Sequence, residues 1–244
     1  MERRTLLLVD SGSSPMEALS LRLRQMDFHV VRAKTTEHAT EAPADPRFRM
    51  GAVIVPPDLP VLDLERSLRA FRAVEPDRIP ALPIVVFGAR PDADQRGRLR
   101  RAGVDWGLWT PVEDNTLRFQ MNRALAGGGP PVATRRALRV PTNWPLAVCA
   151  SGREKPAKLY SVSTRGGYLA TPRPSMARAI VHLTLPLPEG DLRVSGEVIA
   201  TNVPGNLVKR NLPIGMAVRW SGLEPDEIER IQTFVDDRDD RLRL

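Results

Sequence analysis

The stretch that decides the fold of the C-terminal half is Arg135-Arg136-Ala137-Leu138-Arg139, followed further along by Ser161-Val162-Ser163-Thr164-Arg165-Gly166-Gly167. The first segment places three guanidinium groups within five residues, and the second is a small-polar turn with a double glycine. One arginine guanidinium can bind two phosphate oxygens at once, and it can also stack flat on a purine ring. The two segments together therefore favour a nucleotide ligand over a metal ion or a peptide.

The residues around these segments alternate between short strand-like runs and turns rich in Pro and Gly. The runs cover residues 144–150, 158–162, 167–170, 179–185, 192–201 and 214–220. Five or six short strands at this spacing predict a small β-barrel. Pro225-Asp226-Glu227 then begins a helix, because acidic residues suit the first turn and Ile228, Ile231 and Val235 share one stripe.

A barrel that carries these two segments and a terminal helix resembles the PilZ domain, over roughly residues 132–240. The PilZ pattern is an RxxxR element followed by a [D/N]xSxxG element, and Ser161 stands here where the family has Asp or Asn. PilZ domains are bacterial receptors for cyclic diguanylate (cyclic di-GMP). The resemblance implies that this ligand is bound by six residues: Arg135, Arg136, Arg139, Ser161, Ser163 and Gly166.

The roles that the resemblance implies differ among these six residues. Arg135 and Arg139 correspond to the motif arginines, which bridge phosphates and cover guanine faces, and Arg136 adds a further contact. At position 161 the family carboxylate or amide accepts hydrogen bonds from a guanine edge. The shorter serine should cost on the order of 1–3 kcal/mol of binding free energy.

The N-terminal half has a different pattern, in which apolar strand-like runs alternate with helical spacing. Strands are predicted at 5–9, 28–33, 51–55, 82–87 and 104–109, and helices at 15–26, 62–74, 92–102 and 117–125. Such alternation predicts parallel βαβ units, and five of them indicate a flavodoxin-like, doubly wound domain. We therefore predict three parts: residues 1–126, a Gly/Pro linker at 127–134, and a barrel domain at 135–244.

The layout of residues 1–126 resembles the receiver domain of response regulators. Receivers need paired acidic residues for Mg²⁺, a phosphoacceptor Asp, a Thr or Ser, and a Lys before a Pro. The corresponding positions hold Asp10 beside Ser11, Pro56, Gly88 and Thr110. Proline offers no nucleophile and a single carboxylate holds Mg²⁺ poorly. The resemblance thus implies a pseudoreceiver that is not phosphorylated and acts by protein contact.

Composition narrows the class of protein. The net charge of +7 divides into +2 (19 basic minus 17 acidic residues) up to residue 130 and +5 (17 minus 12) beyond it, which favours an anionic ligand for the second half. One cysteine, Cys149, excludes a disulfide framework, and no apolar run is long enough for a signal peptide or a membrane span. These features predict a cytoplasmic protein that does not insert into a membrane.

No nucleophile–base pair, glycine-rich phosphate loop or metal-ligand spacing is present in the sequence, so we expect no enzyme, no metal and no cofactor. The prediction is a bacterial effector that binds cyclic di-GMP and regulates motility, surface attachment or polysaccharide output. Its expected partners are a downstream protein of the motility or signalling machinery and a second copy of the pseudoreceiver. The alternative is a PilZ-like scaffold that no longer binds the ligand, which Ser161 favours. A nucleic-acid-binding regulator is a third interpretation, but no groove-reading motif supports it.

Overall fold

The computed structural model describes residues 4–10, 14–34, 38–39, 49–58, 65–66, 69, 82–126, 137–207 and 210–244. The chain divides into two compact units: 1–132 together with 242–244, and 133–241. The predicted linker at 127–134 lies outside the described residues, and so do Arg135 and Arg136. No helix among the described residues is long and apolar enough to cross a membrane.

The first unit contains a parallel sheet of five strands. These are β1 (Arg4–Val9), β2 (His29–Ala33), β3 (Arg49–Val55), β4 (Ile84–Gly88) and β5 (Trp106–Trp109). They lie in the order β2-β1-β3-β4-β5, with every neighbouring pair parallel. This is the flavodoxin-like, doubly wound order. The fold predicted for the N-terminal half is therefore confirmed.

The sheet is buried on both faces, as continuous apolar strands require. Along β1, Leu6 and Leu8 belong to one core cluster, whereas Leu7 and Val9 belong to a second. Helices α1 (Ser14–Gln25), α2 (Ala93–Arg101) and α3 (Asp114–Leu125) cover the faces. Most of the helix predicted at 62–74 lies outside the described residues. Helix α3 begins three residues earlier than predicted, because the polar residues Asp114 and Asn115 form its first turn.

Helix α1 ends in a Schellman motif that is made without glycine. Asp27 adopts a left-handed conformation with φ of 69°. The backbone N–H of Phe28 donates to the carbonyl of Leu23, and that of Asp27 donates to the carbonyl of Arg24. This pair of bonds defines the motif, and Phe28 and Leu23 both lie in the core. The chain thus turns directly from α1 into β2.

The second unit is a closed barrel of antiparallel strands. These are β6 (Val140–Ala150), β7 (Arg153–Ser163), β8 (Gly166–Ala170), β9 (Ile180–Leu187), β10 (Gly190–Asn202) and β11 (Gly215–Ser221). Their order around the barrel is β10-β11-β8-β7-β6-β9. A small barrel was predicted and is confirmed. Strands β6 and β7 extend beyond the predicted segments, because Pro141 and exposed polar residues such as Glu154 continue the pairing.

Because consecutive strands run in opposite directions, the connections fall alternately at two ends of the barrel. The motif end holds residues 137–139 before β6, the turns at 164–165 and 188–189, and residues 222–224 after β11. The far end holds the turn at 151–152 and the longer connections at 171–179 and 203–214, of which 208–209 are not described. Both predicted motif segments therefore meet at one end.

Helix α4 (Pro225–Leu242) packs against the motif end. Its residues Ile231 and Val235 are fully buried in the core of the barrel. The ring of Phe234 lies 4.8 Å from that of Trp144, measured between centroids. Arg230 Nη2 donates to the carbonyl of Gly190 at 2.7 Å, at the start of β10. The helix therefore closes the end of the barrel at which the two motif segments meet.

Candidate functional site

The carboxyl edge of the parallel sheet is where a receiver would hold Mg²⁺. Asp10 follows β1 and is buried, with 4% of its surface exposed. Arg32 on β2 donates to Asp10 Oδ2 from both Nε, at 3.1 Å, and Nη2. Glu17 Oε1 lies 3.5 Å from Arg32 Nη1 and adds a second carboxylate. The hydrogen bond to Asp10 raises the pKa of Arg32. A fixed positive charge therefore occupies the position at which a cation would be needed.

Two prolines, Pro56 and Pro57, shape the edge at the ends of β3 and β4. Pro56 directly follows β3, is buried, and offers no nucleophile. The ring of Pro57 packs on Gly88 at the end of β4, and a Cβ placed on Gly88 would lie 2.6 Å from Pro57 Cδ. No serine or threonine side chain fits at position 88 without displacing Pro57. Among the described residues of this edge, position 56 offers no carboxylate and position 88 has no room for a hydroxyl side chain.

The motif end of the barrel brings the two predicted ligand segments side by side. Val140 at the start of β6 pairs with Val162 on β7, and Pro141 pairs with Ser161. Arg139, one residue before Val140, therefore comes beside Ser163, one residue after Val162. Segments that are distant in sequence thus form one neighbourhood. Arg135 and Arg136 belong to the same segment but lie outside the described residues.

Ser163 and Gly166 have structural roles in the turn that joins β7 to β8. Ser163 Oγ donates to the carbonyl of Gly166 at 3.0 Å, in a buried position. Trp220 Nε1 donates to the carbonyl of Ser163 at 3.1 Å. A Cβ on Gly166 would lie 2.2 Å from the carbonyl oxygen of Val218. Close approach of β8 to β11 thus requires glycine at this position, whether or not a ligand is bound.

Ser161 differs from the other polar residues of the site because it is nearly enclosed. Only 2% of its surface is exposed, and it pairs with Tyr168 on β8 as well as with Pro141. The hydroxyl projects much less far than a carboxylate or amide at this position. Within the rigid barrel it presents little surface to a ligand.

Arg139 is the described residue of the site that is best prepared for an anion. It is half-buried, and burial lowers the pKa of its guanidinium. Among the residues that the structure describes, no carboxylate forms an ion pair with it. A partly desolvated cation without a counter-charge gains more from a bound anion than an exposed cation does. This electrostatic state favours phosphate binding beside Ser163.

Sequence reasoning missed three residues that shape these two regions. Arg32, the ion-pair partner of Asp10, could have been noticed as a charge inside an otherwise apolar strand. Pro57 follows the predicted acceptor position, and nothing in the sequence placed its ring on Gly88. Arg238 on α4 donates from Nε to the carbonyl of Pro141 at 3.4 Å, which brings another cation to the motif end. Its spacing in the helix gave no signal of this contact.

No protein-family model matches the chain, and no curated protein matches it. Solved structures similar to the N-terminal half include a chemotaxis protein from Vibrio cholerae, with 20% identity over 51% of this chain and 100% of that chain and a TM-score of 0.41. The receiver domain of a sensor histidine kinase from Pseudomonas aeruginosa shows 23% identity over 51% of this chain and 99% of that chain, with a TM-score of 0.43. A protein from Chloroflexus aurantiacus that is described as a response regulator shows 26% identity over 51% of this chain and 99% of that chain, with a TM-score of 0.42. The doubly wound assignment rests on the strand order itself.

Proposed function

We propose that this protein is a non-enzymatic signalling effector that binds cyclic di-GMP at the motif end of its barrel. Arg139 carries the proposal, because it is a partly desolvated guanidinium beside Ser163 with no described counter-charge. The ligand has two phosphates and two guanine bases, and an arginine fork suits both kinds of group. Each charge-assisted hydrogen bond of this kind contributes roughly 1.5–3 kcal/mol.

The proposed mechanism begins with the segment that precedes β6. In this proposal Arg135, Arg136 and Arg139 close over the ligand, while Ser161, Ser163 and Gly166 form the floor of the site. Arg139 enters β6 directly, so ordering of the segment upstream of it changes the chain that leads into the barrel. That change is the proposed signal to a protein partner in motility, surface attachment or polysaccharide control.

The first unit takes the role of a docking module in this proposal. The ion pair between Asp10 and Arg32 and the contact between Pro57 and Gly88 support a role independent of phosphorylation. In this proposal the first unit acts by binding other proteins, including a second copy of itself. A cytoplasmic location and the absence of a cofactor belong to the same proposal.

The proposal is tested by calorimetric titration of cyclic di-GMP into the full-length protein and the Arg139→Ala and Arg135→Ala/Arg139→Ala variants. We expect loss of about tenfold or more in affinity on removal of Arg139. The matched control is Arg178→Ala, which removes an exposed arginine at the far end of the same barrel. Unchanged affinity in the double variant, or an equal loss in the control, would refute the site.

A second candidate function is a PilZ-like scaffold that no longer binds the nucleotide. The burial of Ser161 favours this function. PilZ domains have a carboxylate or amide at this position, whereas the Ser161 side chain here exposes little surface to a ligand. Titration separates the two candidates. Absence of heat with the wild type, followed by measurable binding after Ser161→Asp, supports the scaffold and contradicts the effector.

A further inference from the structure

Exposed apolar side chains collect at the far end of the barrel. Among the described residues, seven large hydrophobic side chains are exposed, and five of them lie at or beside that end. These five are Met176, Ile180, Ile199, Leu207 and Ile214. Met176 exposes 83% of its surface, and Ile180 and Ile199 expose about half of theirs, at 51% and 53%. Concentration of exposed apolar residues at one end is typical of an interaction surface.

Three of these residues form a contiguous patch. Ile180 begins β9 and pairs with Glu197 on β10, two residues before Ile199. The backbone N–H of Arg178 donates to the carbonyl of Val198 at 2.7 Å, and that of Ala179 donates to the carbonyl of Met176 at 3.1 Å. These contacts bring the turn that carries Met176 alongside the segment that carries Ile199.

The connections at this end are held by hydrogen bonds, so the apolar side chains are displayed on an ordered frame. Thr171 N–H donates to the carbonyl of Ile214 at 3.0 Å. Tyr168 Oη donates to the carbonyl of Pro213 at 2.6 Å, and Asn202 Nδ2 donates to the same carbonyl at 3.2 Å. A surface that is already ordered binds a partner with little further loss of conformational entropy.

The charge at the far end is strongly one-sided. Across the described parts of 150–158, 170–180 and 199–215, the only acidic residue is Glu154. Glu197, which pairs with Ile180 beside the patch, is in an ion pair with Arg219 Nη2 at 2.7 Å. The basic residues there are Arg153, Lys155, Lys158, Arg173, Arg178 and Arg210. An aliphatic patch with a cationic surround is complementary to a partner that presents aliphatic and acidic groups together.

We propose that the far end of the barrel is the docking surface for an acidic amphipathic segment of a partner protein. Arginine predominates in the cationic surround, and its planar fork matches carboxylates bidentately. No exposed Trp, Tyr or Phe occurs in the described parts of this end. Aromatic side chains support both binding to the membrane interface and stacking on nucleic acid bases, so their absence from these parts favours the protein partner. Val218 on β11 pairs with both Val198 and Gly167, so Ile199 lies about two strand spacings, roughly 10 Å, from the turn that carries Gly166. Docking on this surface does not require the proposed nucleotide.

The test uses selection from a displayed library of random helical peptides on the full-length protein, without cyclic di-GMP. A triple variant, Met176→Ser/Ile180→Thr/Ile199→Thr, is the surface knockout. Leu21→Ser is the matched control, because Leu21 is an exposed apolar residue of the other unit. We expect enriched peptides to be net acidic with apolar residues at helical spacing, and to bind the triple variant about tenfold more weakly. Leu21→Ser should bind as the wild type does.

A second variant keeps the test decisive if the triple variant fails to fold. Arg173→Glu/Arg178→Glu leaves the apolar side chains in place and should reverse the preference from acidic to basic peptides. Hydrogen exchange with the best peptide should show protection at 171–180 and 199–214. The proposal is overturned by enrichment of neutral or basic peptides, by the absence of enrichment, or by protection confined to other regions. Stronger binding of anionic vesicles or single-stranded DNA to this end than of the acidic peptides overturns it too.

Discussion

Arg32 and Asp10 form an ion pair in which a buried carboxylate after β1 is neutralised by a guanidinium from the neighbouring strand. The carboxylate is almost fully enclosed, while 35% of the Arg32 side chain is exposed. The pair therefore has one desolvated member, whose charge depends on the other for compensation. Receiver-like sheets place their acidic edge at this point, and here the protein supplies its own cation.

Replacing Arg32 with methionine should destabilise the first unit by about 1–3 kcal/mol, because Asp10 keeps its buried charge without a partner. Millimolar Mg²⁺ should restore part of this loss in Arg32→Met and leave the wild type unchanged. Urea unfolding with and without Mg²⁺ measures both effects. Arg241→Ala is the control, because its pair with Asp237 is exposed on both sides and should contribute little. Mg²⁺-dependent stability in the wild type would contradict the role assigned to Arg32.

Replacing Arg139 with methionine should have opposite effects on stability and on ligand binding. Removal of a partly desolvated charge that has no ion-pair partner among the described residues should raise the free energy of unfolding of the barrel by about 1 kcal/mol. The same change should weaken cyclic di-GMP binding by about tenfold or more. Hydrogen exchange of β6 and β7 amides reports the first quantity, and calorimetry the second. A less stable variant would show that Arg139 has a structural partner.

Gly166→Ala should destabilise the barrel by about 1–3 kcal/mol, because the new Cβ meets the Val218 carbonyl at 2.2 Å. Gly152→Ala is the matched control: Gly152 has φ of 74° and open space around it, so only the backbone conformation is strained. Its expected cost is about 1 kcal/mol. Thermal unfolding of the two variants compares them. Equal losses would show that the neighbourhood of Gly166 adjusts easily.

Tyr168 should make the barrel less stable at high pH. Burial raises the pKa of its hydroxyl from 10.0 to about 12. The stabilisation is complete below pH 10 and is lost as pH rises toward 12, because the unfolded chain releases the proton first. The expected loss is about 2–3 kcal/mol. Urea unfolding across this range measures it, and Tyr168→Phe should remove most of the slope. A midpoint of the Tyr168 tyrosinate absorbance near pH 10 in the folded protein would contradict the shift.

The sequence predicted those parts of the fold that depend on local pattern. The apolar runs at 5–9 and 51–55 gave the strands of a doubly wound sheet, since only strands buried on both faces tolerate such runs. The regular spacing of short strand-like runs and of turns rich in Pro and Gly predicted the barrel. Strand β6 was predicted to begin at residue 144, but Val140 and Pro141 also pair with β7, with a register shift before Trp144.

The candidate site was only partly predictable, because its properties depend on contacts between distant segments. The spacing of Arg139 and Ser163 indicated a shared site, but only the pairing of Val140 with Val162 brings them side by side. Ser163 and Gly166 were interpreted as ligand residues, and the structure shows that both also hold the turn. The compensation of Asp10 by Arg32 needs the parallel pairing of β1 and β2, which no spacing rule supplies.

The register of β8, β10 and β11 has a consequence for how two ligands could share the barrel. Val218 on β11 pairs with Val198 on β10 and with Gly167 on β8, so Ile199 lies roughly 10 Å, two strand spacings, from the turn that carries Gly166. A peptide on the exposed apolar patch and a nucleotide at the motif end would thus be close neighbours on the barrel. Any gain or loss of affinity that one causes in the other must be the same in both directions.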